Sequence, residues 1–236
     1  QSGSGGGGRI AILYESAAPV DFDRIQAMGG VGGFRQGSPG TIYLRNLETR
    51  EDHLMIDAQG LNTPTPATPL LSLAGGIASA VSAHSLQDTN AAFVPGGLVG
   101  LTLNPKGGQG RSFLIIANSE TEILTDPLEG DMTQVSAAGD AYSAERGVDR
   151  LTVRRGAIVE LVDADQARAD RRGRMTSGIV ELLNGGRLTH PAATATAQFG
   201  LELVISNRLR IDSTSQVDVS ERGYLGGLSG GNSEQA

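Results

Sequence analysis

The sequence predicts an all-β protein, folded as a right-handed parallel β-helix (a solenoid) with one irregular Pro- and Ala-rich insertion. Three observations predict this fold. Short apolar runs rich in Ile, Val and Leu alternate along the chain with Gly, Asn, Asp, Ser and Pro. Gly contributes 34 of 236 residues and aromatic residues only 4%, which suits a coil interior filled by small aliphatic side chains. Hairpin dipeptides are scarce, since only Asn184-Gly185 has the required type. A β-sandwich, which needs regular hairpins, is the alternative fold.

The apolar runs give the positions of the strands. In the run 208–212, Leu209 and Ile211 share one face and the charged residues share the other. Ile211 is therefore expected in the coil interior, where the substitution Ile211→Asp would cost several kcal/mol. In chain order, the predicted strands are Arg9–Tyr14, Phe22–Ala27, Thr41–Arg45, Leu54–Ala58, Leu98–Leu103, Ser112–Ala117, Glu122–Leu124, Arg150–Val153, Ile158–Val162, Gly178–Leu183, Leu201–Ser206, Arg208–Asp212 and Gln216–Ser220.

Three segments depart from this strand pattern. Leu70–Leu86 is rich in Ala, Leu and Ser, as helices are, but Gly75-Gly76 interrupts it. Asp163–Arg172 has helix formers without an apolar stripe, which predicts at most one short surface helix or an excursion from the coil. Thr63–Pro69 is predicted to be an extended loop, because proline donates no ladder hydrogen bond.

The chain is predicted to be a single β-helical domain over residues 1–236. A loop insertion is placed at 62–96, and Gly/Ser-rich ends are placed at 1–8 and 226–236.

Composition excludes several classes of function. The chain has 19 basic and 26 acidic residues, a net charge of −7, so we expect no nucleic-acid partner. No apolar run reaches the roughly 18–20 residues of a membrane span, so no membrane insertion is expected. The absence of Cys excludes disulfides, thiolate metal sites and Cys nucleophiles.

A search for catalytic and metal-binding motifs finds none. His53, His84 and His190 are scattered and have no zinc-site spacing. Neither a serine nucleophile elbow nor a phosphate-binding loop occurs. No cofactor is expected, and Ca²⁺, which carboxylates on this fold can bind, has no motif to support it. The sequence therefore predicts that the protein is not an enzyme.

The alternative is a polysaccharide lyase or hydrolase, since carboxylates with Arg on one coil face suit that chemistry. Its best candidates are Asp212 and Asp218, with Arg208 and Arg210 nearby. Alternating charge on a solvated strand face explains the same residues without catalysis.

Three stretches resemble a known class of protein. They are Gly6-Gly7-Gly8-Arg9-Ile10-Ala11-Ile12-Leu13-Tyr14, Pro39-Gly40-Thr41-Ile42-Tyr43-Leu44-Arg45 and Gly223-Tyr224-Leu225-Gly226-Gly227. They resemble the β-helical repeat regions of large secreted bacterial surface proteins, which are adhesin-like or of unassigned role. The resemblance covers about residues 5–60 and 201–228. It implies an extracellular or cell-surface location and supplies no catalytic motif.

A β-helix has open strand edges only at its two ends, so each end needs a cap or a partner. We therefore expect a structural protein that forms an extracellular rod, stalk or filament. The expected partners are copies of itself, or a longer parent chain, joined head to tail; a glycan is a further possibility. The residues predicted to form the junction are Gly5, Gly6, Gly7, Gly8, Tyr224, Leu225, Gly226 and Gly227.

Overall fold

A computed structural model describes residues 4–16, 21–32, 36–60, 66–107, 109, 111–167 and 170–224. It is almost entirely β, with 49% strand and 4% helix, and it forms a β-solenoid of about seven turns with parallel strand pairs. The predicted all-β class and solenoid fold are confirmed.

The bounds of the elements in the described residues are as follows. The strands are β1 (Arg9–Tyr14), β2 (Thr41–Asn46), β3 (Asp52–Asp57), β4 (Thr68–Ile77), β5 (Ala80–Val81), β6 (Ser85–Gln87), β7 (Thr102–Asn104), β8 (Phe113–Asn118), β9 (Glu122–Thr125), β10 (Ala141–Arg154), β11 (Ile158–Asp163), β12 (Asp170–Leu183), β13 (Arg187–Thr189), β14 (Gln198–Ile211) and β15 (Gln216–Val217). Short 3₁₀ helices lie at Phe22–Arg24, Pro127–Glu129 and Met132–Gln134.

Two parallel sheets wind the solenoid. In the first sheet β3, β10, β12 and β14 are neighbours in that order, and in the second β4, β11, β13 and β15 are. Arg150 pairs with Ile179, and Ile179 pairs with Arg208. Each step is one coil of 29 residues, the separation that also joins Gly185 to Thr214.

The step before these is much longer. His53 pairs with Arg150, and the coil between β3 and β10 spans 97 residues, as the bond between Asp52 and Asp149 shows. The additional residues form antiparallel strands, from the second half of β4 to the first half of β10. These strands have a hydrophobic core of their own, which includes Phe93 and Phe113.

This antiparallel region differs from the predicted loop at 62–96. It begins near Leu73 and ends near Glu145, so the predicted strands Ser112–Ala117 and Glu122–Leu124 belong to it rather than to the coils. The difference has a physical reason: apolar alternation marks a strand but does not identify the neighbour with which it pairs.

Other predicted elements also differ. Phe22–Ala27 is not a strand, because Asp21 caps a 3₁₀ helix at Phe22–Arg24. Leu70–Leu86 forms strands β4 to β6 rather than helix. Asp163–Arg172, predicted to hold at most one short surface helix or an excursion, has no helix in its described part, where Asp163 ends β11 and Asp170 begins β12.

The predicted loop Thr63–Pro69 lies partly outside the described residues, and Thr68 and Pro69 already belong to β4. Around Thr68 and Pro69, β4 is the edge strand of the second sheet, with β11 as its neighbour. An edge position tolerates proline, because one side of the strand needs no ladder donor.

Successive coils turn at a repeated corner. Each corner has two residues with positive φ: Gln59 (59°) and Gly60 (76°), Arg155 (53°) and Gly156 (84°), and Asn184 (52°) and Gly185 (83°). The corners stack through backbone hydrogen bonds, from the Gly60 amide to Arg155 (2.9 Å) and from the Gly156 amide to Asn184 (3.0 Å). The hairpin dipeptide Asn184-Gly185 is therefore a coil corner, and it connects strands of different sheets.

Three glycine-rich segments, 4–8, 27–30 and 36–40, form a bundle next to β1 and β2. They have no regular secondary structure, yet every pair of them shares a backbone hydrogen bond. The bonds run from the Gly30 amide to the Gly5 carbonyl (2.8 Å), from Gly7 to Ser38 (2.8 Å) and from Gly40 to Ala27 (2.7 Å). A Cβ on Gly7 would overlap the Ala27 carbonyl, so the bundle requires glycine for close backbone approach.

Adjacent glycines provide a matched test of this bundle. A Cβ on Gly8 meets nothing within 4 Å, in contrast to Gly7. We expect Gly7→Ala to lower the free energy of unfolding by about 1–3 kcal/mol or more, and Gly8→Ala to change it by less than about 1 kcal/mol. Urea denaturation of both variants measures this, and equal effects would contradict the close packing.

Candidate functional site

Each turn of the solenoid places apolar side chains in the same interior positions. Two ranks of such residues cross the first parallel sheet and a third crosses the second. The ranks are Leu54, Leu151, Val180 and Leu209; Ile56, Val153, Leu182 and Ile211; and Val159, Leu188 and Val217. Stacking like residues in this way forms a continuous core.

The last coil leaves its members of these ranks open to solvent. In the first two ranks the first three members are at most 4% exposed, whereas Leu209 is 49% and Ile211 is 42% exposed. In the third rank Val159 and Leu188 are fully buried, and Val217 is 39% exposed. The predicted inward orientation of Ile211 is correct, but its burial is not, because no described coil lies beyond it.

Strand β14 is also an open edge. Among the described residues, β14 pairs only with β12, and β15 pairs only with β13. β14 is 14 residues long, so a long row of backbone N–H and C=O groups has no ladder partner. An edge of this length next to exposed apolar side chains is a surface that readily accepts another strand.

The opposite end of the solenoid is covered. The glycine bundle and the β1–β2 ribbon lie over the first coil, where the Thr68 hydroxyl donates to the Pro39 carbonyl (2.6 Å). Tyr43 packs against the solenoid core, and Leu70 is buried. The two ends of the solenoid therefore differ in chemistry.

The residues predicted to form a junction fall at both ends. Gly5 and Gly7 are engaged within their own chain by the glycine bundle. Tyr224 lies at the C-terminal end and is 82% exposed. Leu225, Gly226 and Gly227 lie outside the described residues.

The carboxylates proposed for the enzyme alternative are part of turns. Asp212 accepts hydrogen bonds from the amide of Asn184 (2.6 Å) and from the amide and hydroxyl of Thr214. The Asn184 bond, first among several, holds the pKa of Asp212 well below its usual range. Asp218 accepts from the amide of Ser220 (3.0 Å), which lowers its pKa, and lies 3.6 Å from an Arg187 nitrogen.

The two candidate arginines have a different partner. Arg208 and Arg210 approach the Glu181 carboxylate at 3.2 and 3.9 Å, and Arg150 approaches it at 3.5 Å. In the described part of the chain no hydrogen bond or ion pair joins these arginines to Asp212 or Asp218. The four residues therefore take part in three separate sets of contacts, one around Asp212, one around Asp218 and one around Glu181.

A second carboxylate holds the coils together across the insertion. Asp57 is buried and lies between two arginines, with its Oδ2 2.7 Å from Arg154 Nε and its Oδ1 2.8 Å from Arg155 Nε. Asp23 contacts both arginines from the solvent side. Sequence patterning did not single out this cluster, because the two arginines are 97 or more residues from the carboxylates that they contact.

His53 lies on the same outer face of the first sheet. Its Nε2 is 2.9 Å from the Thr152 hydroxyl oxygen. Burial, followed by the charges of Arg150 and Arg154, lowers the pKa of His53 from 6.5 to about 4. The imidazole is therefore neutral at pH 7 and takes part in packing.

Two further findings concern metal binding and membrane spanning in the described residues. No group of three or more His, Cys, Asp or Glu side chains there is placed to hold a metal ion. No helix found in those ranges has the length and apolarity needed to cross a membrane.

Comparison with known proteins identifies no relative: no family model, curated protein or solved structure matches the chain.

The low pKa of His53 predicts a pH-dependent stability. Between pH 6.5 and about 4 the unfolded chain binds a proton at His53 that the folded chain does not. Stability from this group is thus complete above pH 6.5 and is lost as the pH falls towards 4. We expect a loss on the order of 1–3 kcal/mol.

Urea denaturation at pH 7 and pH 4.5 measures this loss when the wild type is compared with His53→Gln. The variant lacks the titrating group and should lose less stability than the wild type. His84→Gln is the matched substitution elsewhere in the chain. Equal losses in the wild type and His53→Gln would contradict the prediction.

Proposed function

We propose that this chain is a structural protein, a β-solenoid unit of an extracellular rod or filament that is extended at its C-terminal coil by a second copy of the chain. The observation that carries the proposal is the exposure of Leu209 and Ile211, whose equivalents in every earlier coil are buried. Burying apolar surface of this kind favours association by roughly 25 cal/mol per Å².

The first strand offers a complementary edge. β1 pairs only with β2 among the described strands. Ala11 pairs with Tyr43, which packs against the solenoid core, so Ala11 and Leu13 lie on the inward-facing side of β1. Both are exposed, Leu13 by 58%. A copy docked head to tail would place these side chains over Leu209 and Ile211.

Topology sets the direction of the strands at such a junction. β1 runs parallel to β2, β2 runs antiparallel to β3, and the strands from β3 to β14 are parallel. A copy related by translation or rotation along the axis would therefore pair its β1 with β14 in the antiparallel sense. The contact is heterologous, so it generates a filament unless the rotation closes a ring.

The extracellular, adhesin-like part of the proposal is supported by the resemblance of residues 5–60 and 201–228 to repeat regions of large secreted bacterial surface proteins. The solenoid fold agrees with that resemblance. Stacked coils make a stiff body whose length grows with the number of units.

Substitution at the open coil tests the proposal. We expect the wild type to form rods in negative-stain electron microscopy, with a mass distribution that rises with concentration in mass photometry. Ile211→Asp should abolish the rods, because a charge would be buried at the junction. Because Ile211 is already 42% exposed, the variant should lose only about 1 kcal/mol of stability or less.

Leu128→Asp is the matched control, because Leu128 is 93% exposed in the insertion, far from β14 in the chain. It should assemble as the wild type does. Monomers at every concentration, or equal behaviour of the two variants, would contradict self-stacking.

A further inference from the structure

A cavity of about 360 Å³ lies at the covered end of the solenoid, where the parallel coils meet the antiparallel insertion. Its lining combines hydroxyl and guanidinium groups with apolar side chains. The polar lining includes Arg9, Thr41, Tyr43 and Arg146, and the apolar lining includes Leu70 and Val99. The turn carboxylates described above do not contribute to it, and β1 contributes only Arg9.

Arg146 places its guanidinium group at this cavity. Its Nε is buried and has no hydrogen-bond partner among the described residues. Burial, followed by the charge of Arg9, lowers the pKa of the Arg146 guanidinium. Burying part of a charged group without a partner costs free energy. An anion bound at this cavity would therefore stabilise the Arg146 guanidinium.

The described lining of the cavity supplies no anion. The residues that line the cavity include no Asp or Glu. Arg146 lies in β10 between Glu145 and Gly147, and the Glu145 carboxylate is engaged by Arg174 (3.2 Å) and by the Thr176 hydroxyl (2.8 Å). Of the residues outside the described ranges, only Glu234 has a carboxylate side chain.

We propose that this cavity binds a small anionic sugar, a monosaccharide unit that bears a carboxylate or a sulfate ester, with Arg146 as its main contact to the anion. Guanidinium groups bind such oxyanions through paired charge-assisted hydrogen bonds. The cavity lies within the size range of small-molecule sites, so it has room for a sugar ring as well as the anionic group. The hydroxyl of Thr41 can bind sugar hydroxyls, and Leu70 and Val99 can cover the apolar face of the ring.

Calorimetric titration of the full chain at low salt tests the proposal. The probes are glucuronate, glucose 6-sulfate, neutral glucose and inorganic sulfate. We expect at least one of the two sugar anions to bind at least about tenfold more tightly than glucose and than inorganic sulfate. No binding of either sugar anion would overturn the site, and equal binding of inorganic sulfate would overturn the assignment to a sugar.

The variant Arg146→Met separates binding from folding. It should weaken binding of the sugar anion by about tenfold or more. Because it removes a buried unpaired charge, it should also raise the thermal midpoint without ligand by about 2–4 °C.

Arg24→Met, in an exposed turn, is the matched control and should change neither quantity. A fall in the midpoint of Arg146→Met together with unchanged binding would mean that Arg146 has a structural role, and would overturn the proposal.

Discussion

The equal length of successive coils is the constraint on which the rest of the structure depends. Equivalent positions pair after 29 residues in both parallel sheets, and after 28 residues in the first half of β14, before its bulge. The long coil between β3 and β10 keeps the same parallel pairing, because antiparallel pairs join the two chain segments by which the insertion leaves and re-enters the solenoid. There, Ala144 pairs with Leu73 and Ala141 pairs with Ile77, so the chain leaves and re-enters the solenoid at neighbouring points. The insertion can therefore have a separate core without disturbing the register of the coils.

Charged side chains on the outer face reinforce this register. Asp57 joins the strand before the insertion to Arg154 and Arg155 after it, and Glu181 joins β12 to arginines of β10 and β14. Each of these carboxylates faces at least two guanidinium groups, so its burial does not leave a charge uncompensated. A carboxylate in such a network holds neighbouring coils in place.

The sequence predicted what depends on local pattern. Inward Leu209 and Ile211 and the solenoid class follow from alternation and glycine placement. Asn184-Gly185 was predicted only as a hairpin dipeptide, and it forms a coil corner. The 29-residue period was hidden, because an insertion interrupts one coil and β14 has a bulge, with Ser177 opposite Ile205 and Ile179 opposite Arg208. The open coil and the unpaired Arg146 could not be predicted either, since both depend on which residues are absent from their surroundings.

The difference between the two ends of the solenoid bears on how it can grow. The glycine segments cover the first coil through close backbone hydrogen bonds. The exposed strand edge at that end belongs to β1, whose other edge pairs with β2. The last coil presents an apolar interior and a long free edge. A partner at this edge must offer apolar groups opposite Leu209 and Ile211 and must tolerate the outward charges of Arg208 and Arg210. Glu181 offsets part of this positive charge, since its single carboxylate lies near both arginines. The inward side of β1 meets the first requirement with Ala11 and Leu13, which is why the proposed filament would grow by adding copies in one direction.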